Sequence, residues 1–220
     1  YMVLPAKTRI YQIPKDLELE KAVLIEPYSC AKHAIDRADI KNTDVVVISG
    51  VGTLGLAMVN YARLRNPKTL IAVDMMDNRL EIAKRFGADI IMNPSKCNIP
   101  EEVKKLTNGY GCDIYVEATG HPSSVQQGLD SIRKLGRFIE FSVFGQKVSV
   151  DWSVIGDGKE LDLLGSHLGP YCFDVVTEWI ANNTIYTDGV VTHTFDLDHW
   201  QDAFEQNSKG EGSLKVIIKP

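Results

Sequence analysis

Short apolar runs alternate with amphipathic stretches between residue 44 and about residue 183. The apolar runs predict six strands, over 45–49, 70–74, 90–92, 114–118, 137–141 and 161–166. Between them, apolar residues recur at helical spacing and predict helices over 53–65, 77–86, 100–107, 122–134 and 171–182. Strands that alternate with helices of about ten residues are typical of parallel βαβ units. We therefore predict an α/β fold with a doubly wound parallel sheet.

The segments on either side do not follow this alternation. Residues 1–25 are interrupted by prolines, which break regular elements, and a short helix is predicted within 26–43. Residues 184–220 are predicted to hold a helix and a closing strand over 215–219. We expect the α/β domain to occupy 26–183 and the two flanking segments to return to a second domain.

Charge and cysteine content exclude several classes of partner. The chain of 220 residues has 24 Lys and Arg against 29 Asp and Glu, a net charge of −5, which gives no electrostatic basis for binding nucleic acid. Its apolar runs are far shorter than the roughly 20 residues that span a bilayer, so we expect no membrane partner. The four cysteines are scattered, which favours reduced thiols and a cytoplasmic location. Because the first residue is Tyr1 rather than Met, we expect a further segment to precede it.

One motif carries candidate chemistry. The predicted strand 45–49 leads into Gly50-Val51-Gly52-Thr53-Leu54-Gly55 and then into a helix, which is the setting that a G-x-G-x-x-G turn requires. In such a turn Gly50 allows the sharp bend, Gly52 lets the backbone approach a pyrophosphate, and Gly55 permits close packing of helix on strand. The N–H groups near Thr53 and Leu54 then face the phosphates.

An acidic residue supports this interpretation. The predicted strand 70–74 ends in Asp74, 19 residues after Gly55. A carboxylate there accepts hydrogen bonds from the adenosine ribose and repels a 2′-phosphate, which favours NAD over NADP. The main alternative is a mononucleotide or S-adenosylmethionine site. The other alternative is a glycine-rich turn with a surface Asp that binds no ligand.

Four segments together resemble the zinc-dependent medium-chain alcohol dehydrogenases, and above all their sorbitol (polyol) dehydrogenase branch. They are 24–29 (LIEPYS), 50–55 (GVGTLG), 116–120 (VEATG) and 191–195 (VTHTF), in the family's order. A further run, 165–170 (GSHLGP), resembles dehydrogenases of the erythritol or threitol type. The resemblance implies a Rossmann domain with remnants of a GroES-like catalytic domain at both ends of the chain.

The resemblance also implies cofactor contacts beyond the glycine motif. Arg79 matches a basic position near the adenosine ribose, with a solvated helix face as the alternative. Thr119 matches a position beside the adenine. Phe141, Ser142 and Val143 match the backbone segment that meets the nicotinamide carboxamide, although Ser142 stands where the family often has Gly.

For the metal, the resemblance implies a zinc site whose ligands lie mostly upstream of this chain. Only Glu26 falls at that site, as a direct or an outer ligand, and a carboxylate is a legitimate group in either place. The alternative is a Glu at a helix start, which the helix dipole stabilises. The catalytic residues are accordingly expected outside this chain.

The implied activity of the full-length enzyme is oxidation of a secondary alcohol of a sugar alcohol to a ketone. Zinc would lower the pKa of the bound hydroxyl, and NAD would accept the hydride. This chain alone is expected to bind NAD without turnover, and as the family pairs subunits through the sixth strand we expect a homo-oligomer. A dehydrogenase of L-threonine or another alcohol, and an NAD-binding module without chemistry, remain alternatives.

Overall fold

A six-stranded parallel sheet forms the centre of the computed structural model, which describes residues 3–210 and 212–220. Its strands are β1 (Val45–Ser49), β2 (Thr69–Val73), β3 (Ile90–Met92), β4 (Cys112–Glu117), β5 (Ile132–Glu140) and β6 (Asp162–Gly165). They lie in the order β3-β2-β1-β4-β5-β6. Within the sheet the chain starts at the central strand β1 and continues through β2 to β3 at one edge. It then crosses to β4 and continues through β5 to β6 at the other edge. The predicted doubly wound α/β fold is confirmed.

Helices cover both faces of this sheet. They are α1 (Leu19–Ala22), α2 (Ile25–Ala38), α3 (Thr53–Leu64), α4 (Asp77–Arg85), α5 (Ile99–Leu106), α6 (Pro122–Ser131), α7 (Phe173–Ala181) and α8 (Trp200–Lys209). Val46 and Ile48 of β1 pack in one core cluster with residues of α2, α3 and α7. Val45 and Val47 pack in a second cluster with residues of α5 and α6. Because both faces are covered, every residue of β1 is buried.

Local sequence sets where several helices begin and end. The side chain of Asn98 accepts a hydrogen bond from the N–H of Glu101 at the start of α5, and His121 accepts one from the N–H of Ser123 at the start of α6. Gly87 takes a φ of +113° just after α4, which fits a glycine stop. No helix among the described residues is both long and apolar enough to cross a membrane.

A second, two-stranded sheet lies near the end of the chain. It pairs β7 (Val191–Asp196) with β8 (Lys215–Lys219) in parallel. The ammonium of Lys219 forms an ion pair with Glu20 of α1, which links the two flanking segments. Assignment of residues 1–25 and 184–220 to a second domain stays a prediction.

Two elements were predicted with a boundary wrong by three residues or more. The helix predicted over 122–134 ends at Ser131, and β5 begins at Ile132, ahead of the expected start at 137. Leu129 and Ile132 share helical spacing, but Ile132 pairs with Cys112 in the sheet, across an irregularity in the register. The sequence pattern also missed α1, which is a single turn, and β7, whose residues are only partly buried.

Candidate functional site

The glycine turn lies between β1 and α3 and has the backbone that the motif requires. Gly50 takes a φ of +92°, and a Cβ there would lie 2.6 Å from the carbonyl oxygen of Ala118. A Cβ on Gly55 would lie 1.8 Å from the carbonyl oxygen of Gly50, so helix and turn are in direct contact. A Cβ on Gly52 would meet only Arg79 Nη1, at 3.9 Å. Open space therefore faces Gly52, where the motif expects a pyrophosphate.

The start of α3 offers free hydrogen-bond donors to that space. Gly52 is the N-cap and provides no side-chain cap. The first backbone N–H groups of a helix have no partner within the helix, and together with the helix dipole they favour an anion. Thr53 and Leu54 stand in this first turn, as expected, but the hydroxyl of Thr53 donates to the carbonyl oxygen of Leu214 at 2.8 Å.

Asp74 follows β2 and is fixed beside the glycine turn. Its Oδ2 accepts the N–H of Val51 at 2.9 Å, and its Oδ1 accepts the N–H of Met76 at 2.8 Å. Its side chain is only 8% exposed, and Arg79 Nη1 lies 4.0 Å from Oδ2. Each carboxylate oxygen keeps a further lone pair. The turn thus holds the carboxylate in place while leaving it able to accept from a ligand.

A cleft of about 630 Å³ opens over these groups at the carboxyl ends of β1, β2 and β4. Of the predicted cofactor residues, it is lined by Gly50, Gly52, Asp74, Arg79 and Thr119. In doubly wound sheets, ligands bind at this edge, where the strand order reverses. The cleft therefore brings together the pyrophosphate and adenosine parts of the predicted site. Contact of these residues with a cofactor stays a prediction.

Thr119 lines the cleft and is held in place by the buried Glu117. Its hydroxyl donates to Glu117 Oε1 at 2.5 Å and accepts the N–H of His121 at 2.9 Å, while its own N–H donates to the same Glu117 oxygen at 2.8 Å. Glu117 is fully buried. These hydrogen bonds fix the Thr119 side chain at the edge of the cleft.

Phe141, Ser142 and Val143 follow β5 and stand outside the cleft lining. The N–H of Phe141 donates to the carbonyl oxygen of Glu117 at 3.2 Å, and the side chain of Val143 is 92% exposed. A Cβ on Gly120 would lie 2.9 Å from the carbonyl oxygen of Val143, so the segments after β4 and β5 touch. Their place at the carboxyl edge is compatible with the implied nicotinamide contact, which remains a prediction.

A polar network beneath the cleft was missed by sequence reasoning. Ser49 Oγ and Ser124 Oγ are 2.9 Å apart, Tyr115 Oη lies 3.1 Å from Ser124 Oγ, and Gln127 donates to Tyr115 Oη at 2.9 Å. Burial raises the pKa of Tyr115 to about 12, so the phenol remains a hydrogen-bond donor. The one signal in the sequence was Ser49, the single polar residue of an otherwise apolar strand.

Glu26 lies in the first turn of α2 and is exposed. The thiol of Cys30, one turn further along, donates to Glu26 Oε1 at 3.3 Å. Burial, together with the adjacent Glu26, raises the pKa of Cys30 to about 12, so the thiol stays protonated. Among the residues that the structure describes, no group of three His, Cys, Asp or Glu side chains is arranged to hold a metal ion.

Comparison with known proteins places the chain in a family. A family model described as zinc-binding dehydrogenase matches residues 53–182, which is more than half of the chain. The chain belongs to the zinc-binding dehydrogenase family. The match begins at Thr53, inside the glycine motif, and includes strands β2 to β6.

Relatives of this chain include polyol dehydrogenases. The chain is 42% identical to the erythritol/L-threitol dehydrogenase of Mycolicibacterium smegmatis, over all of its own length and 61% of that protein. It is 32% identical to the sorbitol dehydrogenase of Bacillus subtilis, over 96% of its length and 60% of that protein. An alcohol dehydrogenase of Escherichia coli, crystallised with NADH, shares the fold with a TM-score of 0.86 and 28% identity, covering 96% of this chain and 62% of that one. The chain thus spans about three fifths of these relatives.

The described residues do not by themselves fit a zinc ion. A catalytic zinc takes three protein ligands in tetrahedral geometry, and Glu26 provides one carboxylate with a protonated thiol beside it. The prediction that Glu26 belongs to a zinc site therefore requires ligands beyond those described, and it is not tested by the geometry.

Proposed function

We propose that this chain is the NAD-binding part of a polyol dehydrogenase that oxidises a secondary alcohol to a ketone. The observation that supports it most is the hydrogen bond of 2.9 Å from the N–H of Val51 to Asp74 Oδ2. This bond places the carboxylate that would hold the ribose directly beside the turn that would hold the pyrophosphate. The same pairing is what the dinucleotide fingerprint requires.

In this proposal the first turn of α3 binds the pyrophosphate through its backbone N–H groups. The ribose hydroxyls donate to the free lone pairs of Asp74, and the adenine lies in the cleft against Thr119. The backbone of residues 141–143 holds the nicotinamide carboxamide. When bound, the nicotinamide supplies the redox chemistry by accepting a hydride, and the protein supplies its orientation.

Asp74 and Arg79 together would decide between NAD and NADP. The carboxylate repels a 2′-phosphate, whereas an Arg near the ribose can accommodate one. In this chain the Asp74 carboxylate is hydrogen-bonded to the glycine turn. Arg79 instead donates from Nη2 to the carbonyl oxygen of Ser213 at 3.3 Å. We therefore propose NAD as the cofactor.

The substrate class is proposed from the relatives. The erythritol/L-threitol and sorbitol dehydrogenases act on sugar alcohols by their names, and residues 165–170 support the smaller polyols. The alternatives, L-threonine or another alcohol, are tested by offering the protein that contains this chain erythritol, threitol, sorbitol, xylitol and threonine with NAD. Faster NADH formation from threonine than from any polyol would reject the polyol assignment.

The cofactor assignment is tested by substituting Asp74. Asp74→Asn removes the charge that repels a 2′-phosphate and keeps one of the two oxygens that accept from Val51 and Met76. We expect NADP to gain over NAD by about tenfold, from about 1–2 kcal/mol of charged hydrogen bonding to the ribose. Calorimetric titration of both cofactors into wild type and variant measures the ratio.

Asp77→Asn serves as the matched control. Asp77 is the next acidic residue after Asp74, its side chain is 60% exposed, and it pairs with Lys96 on the surface of α4. Removing the Asp77 charge should leave the ratio of NADP affinity to NAD affinity unchanged. A wild-type chain that already prefers NADP would contradict the proposal.

A further inference from the structure

A second cavity lies between α2, α3 and α7, at the opposite end of α3 from the glycine turn. It has a volume of about 320 Å³ and is lined by side chains near the C-terminal ends of these helices, among them Lys32, Asp36, Tyr61, Leu64, Arg65 and Trp179. Thr53 begins α3 and Tyr61 lies eight residues later, which places them about 12 Å apart along the helix axis. The two openings are therefore separate sites.

Tyr61 has a buried hydroxyl that no described residue satisfies. The residue is 3% exposed, and its Oη has no hydrogen-bond partner. Burial raises the pKa of this phenol, so it keeps its proton and remains a donor. Leaving such a group unpaired costs about 1–3 kcal/mol, and each case in a folded protein calls for an explanation.

The charged residues of the cavity leave an excess of donors. Asp36 accepts from Lys32 at 2.5 Å and from Arg65 at 2.8 Å, so two cations share one carboxylate and a single positive charge remains. An ammonium has three N–H donors and a guanidinium five, and each uses one on Asp36. The head groups of Lys32 and Arg65 therefore keep N–H donors beyond those that Asp36 accepts, and the buried Tyr61 hydroxyl has no partner among the described residues.

Apart from Thr184, the remaining walls are apolar. Leu64 is 48% exposed, Ile35 is 1% exposed, and the Trp179 ring lies 5.9 Å from the Tyr61 ring, with Lys32 Nζ 5.7 Å from the Trp179 centroid. A phosphate or another small inorganic ion would leave these surfaces without contact. A ligand with an apolar body and an anionic end uses both kinds of wall.

We propose that this cavity binds a small organic carboxylate with an apolar body. Its carboxylate accepts hydrogen bonds from Lys32, Arg65 and Tyr61, and its body packs against Leu64 and Trp179. Nothing in the dinucleotide cleft contributes to this site, so the proposal stands whether or not the chain binds NAD.

Benzoate is the probe, with benzyl alcohol of similar size as its neutral counterpart. Both are titrated into the ¹⁵N-labelled chain at constant ionic strength, with and without saturating NAD, and the Trp179 indole signal is followed. We expect benzoate to bind with a Kd of about 1 mM or lower. Benzyl alcohol should bind more weakly by at least tenfold, and NAD should not displace benzoate.

Variants separate a binding role from a purely structural one. Tyr61→Phe removes only the hydroxyl, so the free protein should be at least as stable in thermal unfolding while benzoate affinity falls about tenfold. Arg65→Gln should weaken benzoate similarly. Arg63→Gln, on the same helix but paired with Asp89, is the matched control and should bind benzoate as the wild type does.

Three outcomes would overturn the proposal. The first is no benzoate binding, which would mean that water alone satisfies Tyr61. The second is equal binding of benzyl alcohol, or unchanged affinity in both Tyr61→Phe and Arg65→Gln. The third is a shift of the glycine-turn amides in place of Trp179, which would put benzoate in the dinucleotide cleft.

Discussion

At the scale of single residues, Gly52 is where a side chain would alter the site and leave the fold intact. Its φ of −69° suits any L-residue, and only the tip of Arg79 lies near the place of a Cβ. Gly52→Val therefore puts a side chain where the pyrophosphate would lie. We expect NAD affinity, measured by calorimetry, to fall by at least about tenfold, the equivalent of 1.4 kcal/mol.

Gly156→Val is the control for that substitution. Gly156 has no atom within 4 Å of its virtual Cβ and lies far along the chain from the turn. Both variants should show the wild-type circular dichroism spectrum. If Gly52→Val bound NAD as tightly as Gly156→Val, the cofactor would have to lie elsewhere.

Individual residues also show how far the sequence could predict the site. Gly50 and Asp74 were found because each follows an apolar strand, and parallel strands end at one edge of the sheet. The Ser49–Ser124 contact could not be found, because its partners are 75 residues apart and meet only when α6 packs on the sheet. The free hydroxyl of Tyr61 was equally invisible, since a tyrosine at helical spacing predicts only burial.

At the scale of elements, the alternation of strand and helix was enough to predict the fold class but not every boundary. Ile132 fits the helical spacing of α6, and only its pairing with Cys112 on β4 makes it the first residue of β5. Helix or strand is decided there by a contact across 20 residues of chain. Local periodicity contains no information about such a contact.

Strands β4 and β5 bring two carboxyl groups together in the sheet. Glu117 and Glu140 are register partners, and Glu140 Oε1 is buried without a partner among the described residues. Burial, and then the Glu117 carboxylate, raise the pKa of Glu140 above its ordinary value of 4.5. The folded state therefore holds this proton to higher pH than the unfolded state. Ionisation of Glu140 consequently lowers stability as the pH rises from the ordinary value through the raised one.

Glu140→Gln should remove this fall in folding stability with rising pH. Measured by urea unfolding, the variant should gain stability relative to wild type as the pH is raised from about 4 to about 7. Glu81→Gln, at an exposed position of α4, provides the comparison and should show no such trend. A relative stability of Glu140→Gln that falls over this range would show that the Glu140 carboxylate is stabilised by folding.

Strand β6 is an edge of the sheet and exposes an apolar residue. It pairs with β5 on one side, and Leu163 is 39% exposed. An exposed edge of this kind pairs readily with another chain. We expect a dimer in light scattering at tens of micromolar, and Leu163→Lys should shift it to monomer. Leu106→Lys, at 49% exposure on α5, should leave the dimer intact. A strictly monomeric wild type would reject edge pairing.

At the scale of the whole molecule, the described residues form a cleft of about 630 Å³ over the glycine turn, but no group of three His, Cys, Asp or Glu side chains that could hold a metal ion. We expect this chain alone to bind NAD and to show neither stoichiometric zinc by atomic absorption nor NADH formation from polyols or threonine. One carboxylate, Glu26, cannot replace three ligands. Stoichiometric zinc together with multiple turnovers would show that the chain holds a complete active site.

The hydrogen bonds that cover the glycine turn have a consequence for the order of folding. Thr53 and Leu214 are 161 residues apart, and Arg79 and Ser213 are 134 apart, whereas Val51 and Asp74 are separated by only 23. Closing a longer loop costs more entropy, and contacts of high sequence separation slow folding. The glycine turn and the Asp74 carboxylate can thus assemble early, within one βαβ unit. On the ribosome, a nascent chain would carry this turn already formed and still uncovered until β8 emerged.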